Sequence, residues 1–140
     1  MPDFNQVIAD YRQMVTNLES PPQVIVDQVG CKGHDEGDPK AFLTARLLHV
    51  GMGMVTEAGE IMDQLKKHIV YGRPLDVVNI KEELGDELWY VMLGCIAMEI
   101  DFIELLVKNM DKLRVRYPDK FDFERQINRD LDAERKALEA

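Results

Sequence analysis

The chain has 140 residues, 46% of them apolar and 31% charged, with a net charge of −9. That length suits one compact domain with a modest core, and the acidic balance argues against a protein that binds nucleic-acid polymers by neutralising phosphate. Charge interrupts the apolar stretches well short of the roughly 20 residues a bilayer span needs, and the first residues carry acid rather than a basic leader, so the expectation is a soluble, unprocessed cytoplasmic protein with no membrane partner.

Helical signals run along nearly the whole chain. Phe4, Val7, Ile8, Tyr11, Val15 and Leu18 recur at three to four residues behind a cap at Asp3, and Ser20-Pro21-Pro22 ends that helix. Residues 23–41 start with the β-prone Val24-Ile25-Val26 and then meet Gly30, Gly33, Gly37 and Pro39, a pattern that predicts an irregular segment. In it Cys31, His34, Asp35, Glu36 and Asp38 read as a solvated turn, since metal ligands need fixed geometry and supporting partners. A long helix from Phe42 to about Ile69 stops at Tyr71-Gly72-Arg73-Pro74, and a second runs from a cap at Asp76 to about Glu99. Ile100-Asp101-Phe102 leads into a helix ending near Tyr117-Pro118, and a last charged helix is expected over 122–138. With no repeat or linker, the expectation is a single all-α domain over 1–140, a helical bundle around a central antiparallel hairpin. Cys31 and Cys95 form no CxxC pair, so reduced thiols are expected.

Charge is unevenly spread. Between Asp76 and Glu104 eight carboxylates face the single Lys81, a crowding that solvent or bound cations must relieve. On the first central helix, at about 100° per residue, Gly51, Met54, Ala58, Ile61, Met62, Leu65 and Ile69 form an expected core stripe. Glu57, Glu60, Gln64, Lys67 and His68 share another face. On the second, Val77, Ile80, Leu84, Leu88, Val91 and Cys95 form the expected core stripe, and Glu83, Asp86, Glu87 and Tyr90 lie about a quarter turn away.

A short connection favours antiparallel packing of the two helices, which would let Glu57, Glu60, Glu83 and Asp86 converge. Four carboxylates in one place repel, and a hard divalent cation is the natural remedy; Mg²⁺ fits best because it joins a few carboxylates to substrate phosphates, and Mn²⁺ uses the same oxygens. An acidic i,i+3 pair is also an ordinary solvated face. Geometry alone leaves both readings open. His49 and His68 are weak ligand candidates, and the sequence has no P-loop, no GxSxG elbow and no helical Glu-x-x-His pair.

The motifs Glu57-Ala58-Gly59-Glu60 and Glu83-Leu84-Gly85-Asp86-Glu87-Leu88-Trp89-Tyr90, followed by Asn109-Met110-Asp111-Lys112-Leu113 and Arg116-Tyr117-Pro118, resemble those of MazG-like nucleoside triphosphate pyrophosphohydrolases, in the all-α NTP pyrophosphatase superfamily. The resemblance covers about 43–121. It implies an oligomeric all-α fold and Mg²⁺ held by Glu57, Glu60, Glu83 and Asp86. It also implies nucleotide binding by Asn109, Lys112 and Arg116, and residues 23–41 depart from its minimal pattern. Asn109, Lys112 and Arg116 also project from one helical side, and an amide with two cations suits a sugar or base edge beside phosphate. Lys112 and Arg116 would equally complement the end of their helix. Lys67, on the acidic face, is the better phosphate candidate of the pair Lys66 and Lys67. Tyr90 is a candidate contact, although Trp89 and Tyr90 also suit a core.

The expected function is Mg²⁺-dependent hydrolysis of an NTP or dNTP to the monophosphate and pyrophosphate, with Glu60 or Glu83 accepting the proton of the attacking water. Pyrophosphohydrolysis of another nucleotide, such as phosphoribosyl-ATP, is the nearer alternative, and a noncatalytic acidic helical bundle that binds a partner protein is the farther one. A homo-oligomer is expected, a tetramer or a dimer, because a hairpin with few layers leaves apolar surface to bury.

Overall fold

The computed structural model describes residues 3–29 and 39–140. Among them all regular structure is helical, as expected: α1 (Phe4–Leu18), α2 (Pro22–Val29), α3 (Pro39–Tyr71), α4 (Val77–Ala97), α5 (Phe102–Arg116), α6 (Phe123–Ile127) and α7 (Leu131–Glu139). None of the helices among the described residues is long and apolar enough to cross a membrane. The chain forms two compact units, Met1–Glu99 with α1 to α4 and Ile100–Ala140 with α5 to α7.

Caps readable in the sequence start several helices. Asp3 accepts from the Asn5 amide, Asp76 from the Val78 and Asn79 amides at 3.1 Å, and Asp101 from the Glu104 amide at 2.9 Å. Each satisfies an amide that the helix leaves without a partner, a contribution of about 1 kcal/mol. At the other end of α3, Gly72 takes φ 64°, a left-handed turn that glycine adopts without strain, and the Arg73 amide reaches back to the Lys67 carbonyl.

Residues 22–29 are helical, where an irregular stretch was expected. Pro22 stands at the first helical position, where its missing N–H costs nothing, and packing on α3 overrides the β preference of Val24-Ile25-Val26. Pro39 likewise opens α3, three residues ahead of the expected start. The expected C-terminal helix over 122–138 is broken into α6 and α7, because Asp130 leaves the helix to cap a new one by accepting from the Ala133 amide at 2.9 Å. Cys31, His34, Asp35, Glu36 and Asp38 lie outside the described residues.

In the first unit α3 and α4 form the expected antiparallel hairpin. Its register is visible where Val50 meets Gly94, Gly53 meets Tyr90 and Glu57 meets Glu83, so that numbers rise on one helix as they fall on the other. Val15 of α1 and Met92 and Leu93 of α4 are fully buried, with Ala41, Ala45 and the thiol of Cys95 nearly so. Arg46 of α3 forks onto Glu19, at the end of α1, with N···O distances of 2.6 and 2.8 Å.

The expected core stripes join the two helices only in part. Cys95 of the second stripe is buried, but Met62, Ile69, Leu84 and Leu88 are each more than half exposed, while Gly53 and Glu83 are buried. Glu57 and Glu83 of the acidic stripes meet across the hairpin, and much of the apolar stripes is uncovered in the single chain. Two stripes on each helix offer two ways to pair them, and periodicity within one helix does not choose between them.

Beyond α4, Glu99 takes φ 56°, left-handed backbone in which a side chain is strained by roughly 1 kcal/mol. Glu99→Gly is therefore expected to raise stability by about 0.5–1 kcal/mol, because glycine suits the position after a helix end. A urea midpoint raised at unchanged slope checks this. An unchanged or lower midpoint contradicts it.

Candidate active site

Glu57 sits in the middle of α3, and Glu83 and Asp86 lie in the first half of α4, three residues apart and so on one helical side. The hairpin brings one carboxylate oxygen of each to within 4.8 Å of the others. At an effective dielectric of about 20, two unit charges at that separation repel by about 3.5 kcal/mol. Glu83 is only 4% exposed, and one of its oxygens is held by the Asn79 amide nitrogen at 2.6 Å. The Glu57 carboxyl titrates above its ordinary value, first because of its surroundings' desolvation, then through a hydrogen bond with Glu83 and the nearby charges of Asp86, Glu60 and Glu83. Thr56 donates to the Gly53 carbonyl at 2.8 Å and lies 3.4 Å from a Glu57 oxygen.

Beside this cluster a cleft of about 350 Å³ is lined by Leu18 of α1, Glu57 of α3 and Asp86, Trp89 and Tyr90 of α4. Its lining combines two carboxylates with apolar and aromatic side chains. His49, Trp89 and Tyr90 meet edge to face, with ring centroids 5.0 Å apart for Trp89 and Tyr90 and 5.7 Å for His49 and Tyr90. The Tyr90 phenol is raised by burial and then by the charges of Glu57 and Asp86. Tyr11 of α1 points its hydroxyl at the Gly85 carbonyl, 3.4 Å away, and its phenol is raised by burial and then by Asp86.

Of the sequence candidates, Glu57, Glu83 and Asp86 come together. Glu60 is exposed and stands one turn from Glu57, near enough to act on its charge, but outside the trio. Lys67 pairs with Asp63 at 2.7 Å across one turn of α3, and the His68 ring nitrogen Nδ1 lies 2.8 Å from the Arg73 carbonyl. Asn109, Lys112 and Arg116 belong to α5 in the second unit. The Arg116 fork is occupied there: its Nε and Nη2 donate to the buried Glu134 of α7 at 2.8 and 2.6 Å, and Arg129 binds the same carboxylate. Sequence reasoning missed Leu18, Gly53, Asn79 and Glu134. Asn79 alone left a signal, its i,i+4 spacing from Glu83.

The pattern of the MazG nucleotide pyrophosphohydrolase domain matches residues 48–121, just over half of the chain, including all of the Glu57, Glu83 and Asp86 arrangement. The chain belongs to the MazG family. A similar protein is the Gene 37 protein of Mycobacterium phage L5, 34% identical over a 77-residue alignment that covers 50% of this chain and 65% of the phage protein. The MazG chain thus spans just under two thirds of that relative's length. No solved structure matches it. The acidic trio supplies, in this MazG chain, an all-oxygen donor set suited to a hard divalent cation.

Arg116 and Arg129 hold the Glu134 carboxyl far below its ordinary value of 4.5, and Arg116 is raised in turn. A carboxylate depressed in the folded state stabilises fully above its unfolded pKa, and that contribution fades as pH falls below about 4.5 toward the folded value. Glu134→Gln is therefore expected to lower the thermal midpoint at pH 7 and to flatten the loss of stability on acidification below pH 4.5. Superimposable profiles of wild type and variant would contradict a role for this ion pair.

Proposed function

We propose that the chain is a Mg²⁺-dependent nucleoside triphosphate pyrophosphohydrolase that converts an NTP or dNTP and water to the monophosphate and pyrophosphate. The observation that carries this reading is the carboxylate cluster of Glu57, Glu83 and Asp86 beside a cleft whose lining joins Glu57 and Asp86 to Leu18, Trp89 and Tyr90. The carboxylates suit a cation that accompanies phosphates, and the apolar and aromatic lining suits a nucleoside.

Three carboxylates that crowd one another, with Glu57 pushed upward by desolvation and then by its acidic neighbours, are a donor set suited to positive charge. Glu57, Glu83 and Asp86 would hold Mg²⁺ or Mn²⁺, with Glu60 at their side. When bound, such a cation neutralises phosphate charge and makes water more acidic. Asn79 orients Glu83 by holding one of its oxygens, which leaves the other for the site. Glu60 and Glu83 are the proposed acceptors of the proton from the attacking water. Lys67 can exchange its exposed Asp63 partner for a phosphate at little cost, since surface ion pairs contribute little. Asn109 and Lys112 are proposed nucleotide contacts on the strength of the family motif. Arg116, assigned with them, has its fork engaged by Glu134 and so serves first to fix the end of α5.

The proposed partners are a nucleoside or deoxynucleoside triphosphate and further copies of this chain. Leu47, Leu48, Gly51, Met52, Val55 and Thr56 line an apolar groove of about 500 Å³ along α3, and Val55 is 72% exposed. Leu84 and Leu88 add apolar surface on α4. Covering such faces is a strong drive to association, and a dimer or tetramer is proposed.

Pyrophosphate release from a panel of NTPs, dNTPs and phosphoribosyl-ATP, with and without Mg²⁺, tests the activity. Turnover of at least one nucleotide, lost on chelation, is expected, and Glu60→Gln or Glu83→Gln should cost about 100-fold or more in kcat. Wild-type turnover in both variants dismisses the site. Silence across the panel, with no Mg²⁺-dependent stabilisation by nucleotides, would favour a noncatalytic acidic bundle. Light scattering tests the assembly: Val55→Asp should convert an oligomer to a monomer, and a wild-type monomer would overturn that part.

A further inference from the structure

Gly53 is buried in α3, directly beneath the ring of Tyr90. A Cβ built on Gly53 would overlap the Cε1, Cζ and Cδ1 atoms of that ring. The ring has little freedom to retreat. Trp89 stands edge to face against it at 81°, and His49, one turn before Gly53 on the same helix, does so at 79°. The surface of α3 thus carries a notch one side chain deep, and the Tyr90 ring fills it. Tyr90 in turn lines the cleft beside Glu57 and Asp86.

We infer that Gly53 is a positioning residue for the substrate: the missing side chain at this one point seats Tyr90 against α3 and so shapes the aromatic wall that takes the nucleoside part of a nucleotide. The role of the wall rests on the hydrolase reading above, whereas the seating of the ring does not. Other glycines of the two helices show that the requirement is local. A Cβ at Gly51, Gly59 or Gly85 meets nothing within 4 Å, so alanine there only removes the conformational freedom that makes glycine a poor helix residue. At Gly53 the same replacement must displace a packed ring. His49 packs edge to face on the same ring, and among the described residues its buried Nδ1 has no hydrogen-bond partner.

The test is a set of four variants: Gly53→Ala, Tyr90→Leu, the double variant and Gly59→Ala. In thermal unfolding, Gly59→Ala should raise the midpoint, Gly53→Ala should lower it, and the double variant should regain most of that loss, because leucine vacates the space the new methyl needs. Trp89 is the chain's single tryptophan and touches Tyr90, so its emission should shift in Gly53→Ala. In turnover with Mg²⁺, Gly53→Ala and Tyr90→Leu should each raise KM about tenfold, the scale of one lost aromatic stack, with kcat within about twofold. The double variant should be no worse than Tyr90→Leu. Mg²⁺ affinity measured with the metal alone should stay at the wild-type value in all four.

A wild-type KM in Gly53→Ala, or effects on KM that multiply in the double variant, would overturn the proposal. Loss of Mg²⁺ affinity in Gly53→Ala would overturn it too, by showing that the residue acts on the carboxylates. If the wild-type protein hydrolyses no nucleotide, the hydrolase reading and the wall's role fall together. The stability cycle would then still report whether Gly53 seats the ring.

Discussion

Three carboxylates within 4.8 Å of one another are an electrostatic load that the α3 and α4 hairpin has to carry. Glu57, Glu83 and Asp86 repel one another when charged, and the Glu57 carboxyl is pushed upward first by desolvation, then by its hydrogen bond with Glu83 and by the charges around it. A fold maintains such an arrangement only when strong packing elsewhere holds the helices in register. Here that packing lies further along the hairpin, where Met92, Leu93 and Cys95 are buried and Val50 meets Gly94. The same feature that burdens the protein alone makes it receptive to a cation, since a divalent charge turns each repulsion into an attraction.

The cleft inherits its polarity from that hairpin. Asp86, Trp89 and Tyr90 follow one another within little more than one turn of α4, so one carboxylate and two aromatic side chains of the lining lie within a few ångströms of helix rise. α1 closes the apolar side with Leu18, and Tyr11 ties α1 to the backbone at Gly85. The second unit rests on a different device, a buried carboxylate shared by two guanidinium groups, which joins α5 to α7 without a large apolar core.

Much of this was legible in the chain because it is written in local terms. Asp3, Asp76 and Asp101 announce helix starts through their own side chains, and the i,i+3 spacing of Glu83 and Asp86 places both on one side whatever the helix packs against. How the acidic and the apolar stripes share the joining face was not legible, since both repeat with helical period and the outcome depends on the partner helix. Gly53 and Tyr90 lie 37 positions apart, and glycine leaves no pattern by which the ring above it could be foreseen. Arg116 read as a nucleotide contact because it shares a helical side and a family motif with Asn109 and Lys112, and the carboxylate that engages its fork comes from a later helix, which that local spacing does not reveal.

The central claim is that Glu57, Glu83 and Asp86 form one binding site for a divalent cation and the phosphates it accompanies. The most direct measurement is a crystal structure with Mn²⁺ and a non-hydrolysable nucleoside triphosphate, read through the anomalous signal of the metal. The predicted result is a peak at coordination distance, roughly 2.1–2.2 Å, from oxygens of these carboxylates and in contact with the phosphates. A metal and nucleotide bound elsewhere, with the three carboxylates facing only water, would contradict it.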